Sequence, residues 1–451
     1  MYEFALNSRG MPRPFSPLRH AVRHTLCALA VALYANAALA DDGPDLDPRN
    51  QAGLTQSNSF DNRKRGKPFS FPRALVYVNE QASEPDLIRN GTPASTNVID
   101  ARTLRVLKRV PVEEKPHHFY KVPNENKAYI SHFGGSSVIE VLDLISNEIV
   151  TKIPTSDGPR HLTFSKDGKY AWTANFDHND VSLIDVENDK TLWTAPVGRR
   201  PNYVEPAWSY VFSANLGESS LTVLDARSGA FVKTVPIGMN PFNMSVSCDE
   251  RMIMSANAGS NDVSFVDVGS LTEVARVSIM GPISTAQYDS SVRQRLNPRI
   301  SPDCKYLWVG NQAAGTFAVL DIAQRKMVAE IKSAEKGGGS DIIFFINKGP
   351  AAGLALGTNR YSEFTTVIDP KTFKALKRLP AAKGTHYVSL NEDFTEAYVS
   401  SRIGGAFSVY DLASMREVAR KGGFPPIDQA IYVSFERGIQ ASSISESNSR
   451  K

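Results

Sequence analysis

The stretch EEKPHHFYKV, Glu113 to Val122, sets two imidazoles side by side in a chain with eight histidines among 451 residues. Neutral imidazole binds copper, zinc or iron, and its protonation changes near neutral pH. His161 follows an arginine in DGPRHLTFSKDG, and His386 precedes a tyrosine in GTHYVSL. His117, His118, His161 and His386 are therefore the candidate metal ligands, with Arg160, Tyr203, Tyr387 and Arg402 as candidate cofactor-binding neighbours. His132 and His178 are weaker candidates, read as a turn cap and an exposed loop residue. No CxxC, CxxCH, GxSxG or HExxH occurs, so thiolate zinc, c-type haem attachment, a serine-nucleophile elbow and a zincin helix have no support. The absence of methionine or cysteine beside the histidines disfavours a soft copper(I) site. The glycine-rich KGGGSD, Lys336 to Asp341, precedes a strand pattern instead of a helix and reads as a loop, not a phosphate cradle.

The elements that must carry these residues announce themselves by repetition. Short apolar runs end in aspartate as NVID, EVLD, SLID, TVLD, SFVD, AVLD, TVID and SVYD, with spacings of 43, 42, 40, 42, 54, 48 and 42 residues. Eight copies of a strand-rich unit at that period predict an all-β, eight-bladed β-propeller, with seven blades as the nearest alternative. The clearest unit, Gly158 to Val197, divides into four strands A to D: HLTFS, YAWTAN, VSLIDV and TLWTAPV. The first unit starts at Ala74 with a strand B, and the segment GFPPIDQAIYVSFERG near the end supplies a strand A without a blade of its own. Pairing the two closes the ring and removes a free sheet edge.

In such a ring the start of strand A and the B-to-C loop share one face, and the aspartate turns lie on the other. All six histidines beyond residue 40 map to the first face, as do Arg160, Arg199, Arg200, Arg360 and Arg402. Two long insertions, EQASEPDLIRNGTPAST and ISTAQYDSSVRQRLN, map there too. The eight aspartates read as turn formers, and the recurring Asn that closes strand B reads as a cap. Alternation along a strand puts neighbours on opposite sides. It predicts two separate sets, His118 with His161 and His117 with His386, unless the strand entry is irregular. Cys248 and Cys304 fall in equivalent turns of successive blades on the opposite face, where a disulfide would staple them.

Residues 1–40 read as a secretory signal: three arginines, the apolar run LCALAVAL and an Ala-Leu-Ala cleavage site before Asp41. Residues 41–70 then form a linker, 71–437 the propeller and 438–451 a tail. Export to the periplasm or outside the cell is the expectation, with no transmembrane segment. Removing residues 1–40 takes four of 51 Lys and Arg and one of 47 acids, leaving 47 and 46. A net charge of +1 gives no reason to expect a nucleic-acid partner.

Segments such as KYAWTANFDHNDVSLIDV and KYLWVGNQAAGTFAVLDI resemble the YVTN family of propeller repeats, from about Ala74 to Phe435. The PHH pair looks like the paired histidines that open an inner strand in the nitrous oxide reductase propeller. His117 or His386 also stands where cytochrome cd1, a haem d1 propeller, places an axial ligand. DGPRHLTFSKDGKY is similar to the GPRH segment of 6-phosphogluconolactonase-like lactonases, and that resemblance implies pocket roles for Arg160 and His161. Three functional expectations follow. The first is an exported propeller whose His/Arg-rich face binds a metal, a haem-type or other metallocofactor, or an anionic small molecule, serving a partner enzyme. The second is an enzyme on that face, a metal-dependent oxidoreductase or a lactonase-type hydrolase. The third is a non-catalytic cell-surface or protein-interaction propeller.

Overall fold

A computed structural model describes residues 74–80 and 94–435. The signal reading at 1–40, the linker, most of the first insertion and the tail lie outside the described residues. The strands, numbered β1 to β32 along the chain, form eight four-stranded antiparallel sheets in a ring. Among the described residues one short helix, α1 (Pro282–Gln287), interrupts them within the second insertion. In the unit that the sequence delimits best, strands A to D become β8 (Pro159–Phe164), β9 (Tyr170–Asn175), β10 (Asp180–Asp185) and β11 (Lys190–Pro196).

Ring closure follows the expected route. β1 (Ala74–Glu80) pairs outward with β2 (Ser95–Asp100) and inward with β32 (Ile427–Ser434), so the last strand completes the first blade. The innermost strands of the other blades are β4 (Pro116–Lys121), β8, β12 (Pro201–Ala207), β16 (Pro241–Val246), β20 (Pro298–Ile300), β24 (Ser340–Phe345) and β28 (Thr385–Leu390). Each contacts its neighbour round the ring, and β32 touches both β28 and β4. Gln429 seals the seam by accepting the Phe119 N–H at 2.7 Å.

Apolar contact between blades holds the ring. Tyr120, Tyr129, Ile139 and Val141 of the second blade pack against Leu162, Phe164, Ala171 and Ile184 of the third, all buried. Full burial of each such side chain contributes roughly 1.5–3 kcal/mol. Central strands are buried on both faces because a blade lies on either side. The outer strand β19 (Thr272–Ser278) instead alternates exposed and half-buried residues, the period-two pattern of a wet edge.

The polar repeats do the local work expected of them. Every repeat aspartate accepts backbone N–H bonds in its own turn, as Asp100 does from Arg102 and Thr103, and Asp411 from Ser414. Asn175 donates to Asp180 and Ser182, tying the end of one strand to the next. Cys248 and Cys304 are joined in a disulfide with Cα atoms 6.0 Å apart.

Candidate functional site

The inner-strand entries decide what the cavity can hold. In seven of the eight blades the register between the innermost strand and its partner slips by one residue at the entry. A bulge of this kind sets two residues against one and lets consecutive side chains turn to the same side. His117 and His118 both line the central cavity for this reason, as do Arg160 with His161 and His386 with Tyr387. The prediction of two sets divided by strand parity is thereby corrected. His117, His118 and His161 form one cluster, and His118 meets His386 in a second one through Asp428.

Ring centroids in the first cluster are separated by 4.1 Å (His117 to His118), 4.9 Å (His117 to His161) and 4.8 Å (His118 to His161). One ligand atom from each lies within 4.8 Å of the others. His117 Nδ1 is 3.1 Å from the Arg160 carbonyl, a bond that fixes the proton on Nδ1 and leaves Nε2 as the free lone pair. Burial pushes the His117 and His161 pKa values well below the ordinary imidazole value, and the neighbouring His118 and Arg160 push the same way. Both rings are thus neutral at pH 7, the form that binds metal.

The second cluster is built on two buried carboxylates. Asp428 Oδ2 lies 3.2 Å from His118 Nε2, and its Oδ1 lies 3.5 Å from His386 Nε2 and 3.8 Å from Arg402 Nε. On the far side His386 Nδ1 donates to Asp341 at 2.7 Å, which presents Nε2 toward Asp428. Asp341 also accepts from Asn297 and Gln312, each at 2.7 Å, and pairs with Arg360 at 3.2 Å. Burial raises the pKa of Asp341, yet the charges of His386 and Arg360 and these hydrogen bonds outweigh it and hold the group well below the usual carboxylate range.

All eight candidate residues named from the sequence line this one cavity, which spans about 700 Å³ including the solvent in its mouth. Tyr203 packs against His161 with centroids 5.5 Å apart, and Tyr387 stands edge-on to Phe344 at 5.2 Å. His132 turns away: its Nδ1 meets the Glu114 carbonyl at 3.1 Å and its Nε2 lies 3.4 Å from Glu140. His178 is 65% exposed and bonds to Asp180. Asp341 and Asp428 are what the reading of motifs missed. Asp341 ends a glycine-rich stretch that reads as a loop, and Asp428 falls level with His117 only when the IDQ of the closing strand is aligned with PHH, PRH and THY. Arg295 and Arg299 also line the cavity, brought by the end of the second insertion and by β20.

These features define an eight-bladed β-propeller with a histidine-, arginine- and aspartate-lined central cavity. A family described as lactonase, 7-bladed beta-propeller, matches residues 113–286, which hold blades two to five of this ring. Among solved structures the chain is similar to the dihydro-heme d1 dehydrogenase NirN in complex with DHE, with a TM-score of 0.62 and 17% identity over 86% of this chain and 81% of that one. It is also similar to a Kuenenia stuttgartiensis hydrazine synthase, with a TM-score of 0.45 and 18% identity over 59% of this chain and 86% of the other. No curated protein matches it in sequence.

Proposed function

We propose that this chain is an exported ligand-binding propeller whose central cavity holds a transition metal on His117, His118 and His161. One observation carries the reading: three imidazoles from two adjacent blades converge, and two of them are kept neutral by burial. Copper, zinc and iron all suit such a donor set. Asp428 and His386 stand beside it as an orienting pair. A bound ion of this kind supplies Lewis acidity or electron transfer, and the chain serves either as an enzyme or as an accessory to one.

A second reading has its own support. The breadth of the cavity, the ring of arginines and the fold shared with a haem d1 dehydrogenase suit a carboxylate-bearing metallo-tetrapyrrole. A histidine of the cluster would hold its metal, and Arg160 and Arg402 would meet its acid groups.

Metal analysis and the visible spectrum of the protein purified from its native compartment separate these readings, with His118→Ala and His161→Ala alongside. Stoichiometric metal that falls away in both variants supports the three-histidine centre. Haem-like absorption selects the tetrapyrrole. Metal-free, colourless wild-type protein overturns both.

A further inference from the structure

Arg160 is the second residue of β8 and only 7% exposed, and its guanidinium makes no hydrogen bond or ion pair with any described residue. Its Nε is fully buried and has no partner. Two aromatic rings lie against the group. Phe133 lies 4.0 Å from the guanidinium carbon and Phe176 lies 4.8 Å from it. Its N–H groups are left to be satisfied, and Arg160 is one of the residues that line the central cavity. The backbone is fixed as well, since the Arg160 carbonyl meets His117 Nδ1 and accepts from Ser131 Oγ at 2.9 Å.

The electrostatics point the same way. Burying a cation without a counter-ion costs several kcal/mol. Cation–π contacts return about 0.5–2 kcal/mol each. Asp177 and Asp428 act on Arg160 from a distance but pair with neither end of it. A guanidinium is charged at neutral pH. Arg360 is equally buried and shows the contrast, because its charge is spent on Asp341 at 3.2 Å. A guanidinium fork matches an oxyanion that offers two oxygens side by side, and a carboxylate is the smallest organic group that does so.

We infer that Arg160 seats the acid group of the ligand, and that the molecule held at the histidine cluster is a small carboxylate or a bicarbonate-like planar oxyanion. The position of the anion beside a metal rests on the three-histidine reading; the anion seat itself does not.

The test is isothermal titration of the full chain with sodium acetate and with sodium bicarbonate, in metal-free and zinc-loaded forms, in low-chloride buffer. Wild type should bind at least one of the two anions. Arg160→Gln should weaken that binding roughly tenfold or more, the value of a charge-assisted bond pair. Arg160→Lys keeps the charge without the fork and should lose less. Arg200→Gln, which removes an exposed arginine 5.2 Å from the Phe176 ring centroid, should stay within about twofold. Thermal melts identify a variant that fails to fold, in which case Arg160→Lys carries the comparison. Wild type that binds neither anion in either form, or an Arg160→Gln protein that binds like wild type, overturns the inference. If zinc fails to bind while acetate binding still depends on Arg160, the anion seat stands and the metal reading falls.

Discussion

The Asp428 carboxylate lies 3.2 Å from His118 Nε2, a contact between the last strand of the ring and the entry of the second blade. The seam that closes the fold is therefore also a wall of the site. Chain closure and site assembly are one event.

Deleting the closing strand should destroy both. A chain ending at Pro426 loses β32, exposes the inner edge of β1 and forfeits Asp428. It should melt without a cooperative transition and bind no metal. A synthetic peptide of residues 427–435 added in excess should restore part of each. Asp428→Asn in the full chain should instead keep the cooperative melt and lower metal affinity by about 10–100-fold, as loss of an orienting carboxylate does. A cooperative melt in the truncated chain would show that closure is not needed.

Stability of the metal-free protein should fall as pH falls below about 6.5. His117 and His161 are held neutral in the folded chain but take up protons when it unfolds. Their contribution is complete above the unfolded imidazole pKa and declines below it, by about 1.4 kcal/mol per pH unit for each group. Asp341, shifted downward, adds a second loss only below about pH 4. Urea midpoints at pH 7.5, 6.5 and 5.5 measure the first effect. The double variant His117→Gln, His161→Gln should flatten the slope, and an unchanged slope would count against burial as the cause.

Gly310 in β21 (Tyr306–Asn311) marks a place where two blades touch backbone to backbone. A Cβ there would stand 2.2 Å from the Asp341 carbonyl and 2.6 Å from that of Ser340. Gly310→Ala must push β24 aside and move Asp341 with it, at a cost of about 1–3 kcal/mol. The urea midpoint should drop, and the His386 side-chain NMR signals should shift because Asp341 holds that ring. Unperturbed signals would mean that β24 absorbs the methyl without moving its carboxylate.

The Cys248 to Cys304 bridge staples the fifth blade to the sixth on the face opposite the site. Replacing both by serine should cost about 2–4 kcal/mol of stability. Metal content and anion binding should stay as in wild type. A loss of binding with intact folding would reveal a coupling between the two faces that the geometry gives no reason to expect.

Repetition made the scaffold readable. The aspartate period, the orphan strand at the end and the surplus strand B at Ala74 were enough for eight blades and their closure, since each is a local pattern of residue types. The common location of His117, His118, His161 and His386 was readable as well, because strand direction alone fixes which end of each blade faces the cavity. Their grouping was not. Alternation predicts side chains only for a regular strand, and the slip at Pro116 to Phe119 has no residue signature such as glycine to betray it. Asp428 was obscured for a different reason: it lies level with His117 only once the closing strand is laid into the first blade. Asp341 is masked by the three glycines close before it, a loop signal that runs up to the first residue of β24 (Ser340–Phe345).

The bulged entry has a further consequence for how such a ring can change. A regular inner strand would offer the cavity one side chain at that depth, whereas the slipped strand offers a dipeptide. His-His, Arg-His, Asn-Tyr and Phe-Asn occupy this position in blades two to five, and His-Tyr occupies it in blade eight. Ligand preference can therefore drift by rewriting two neighbouring codons in any blade with a slipped entry, while the hydrogen-bonded sheet behind them keeps its register.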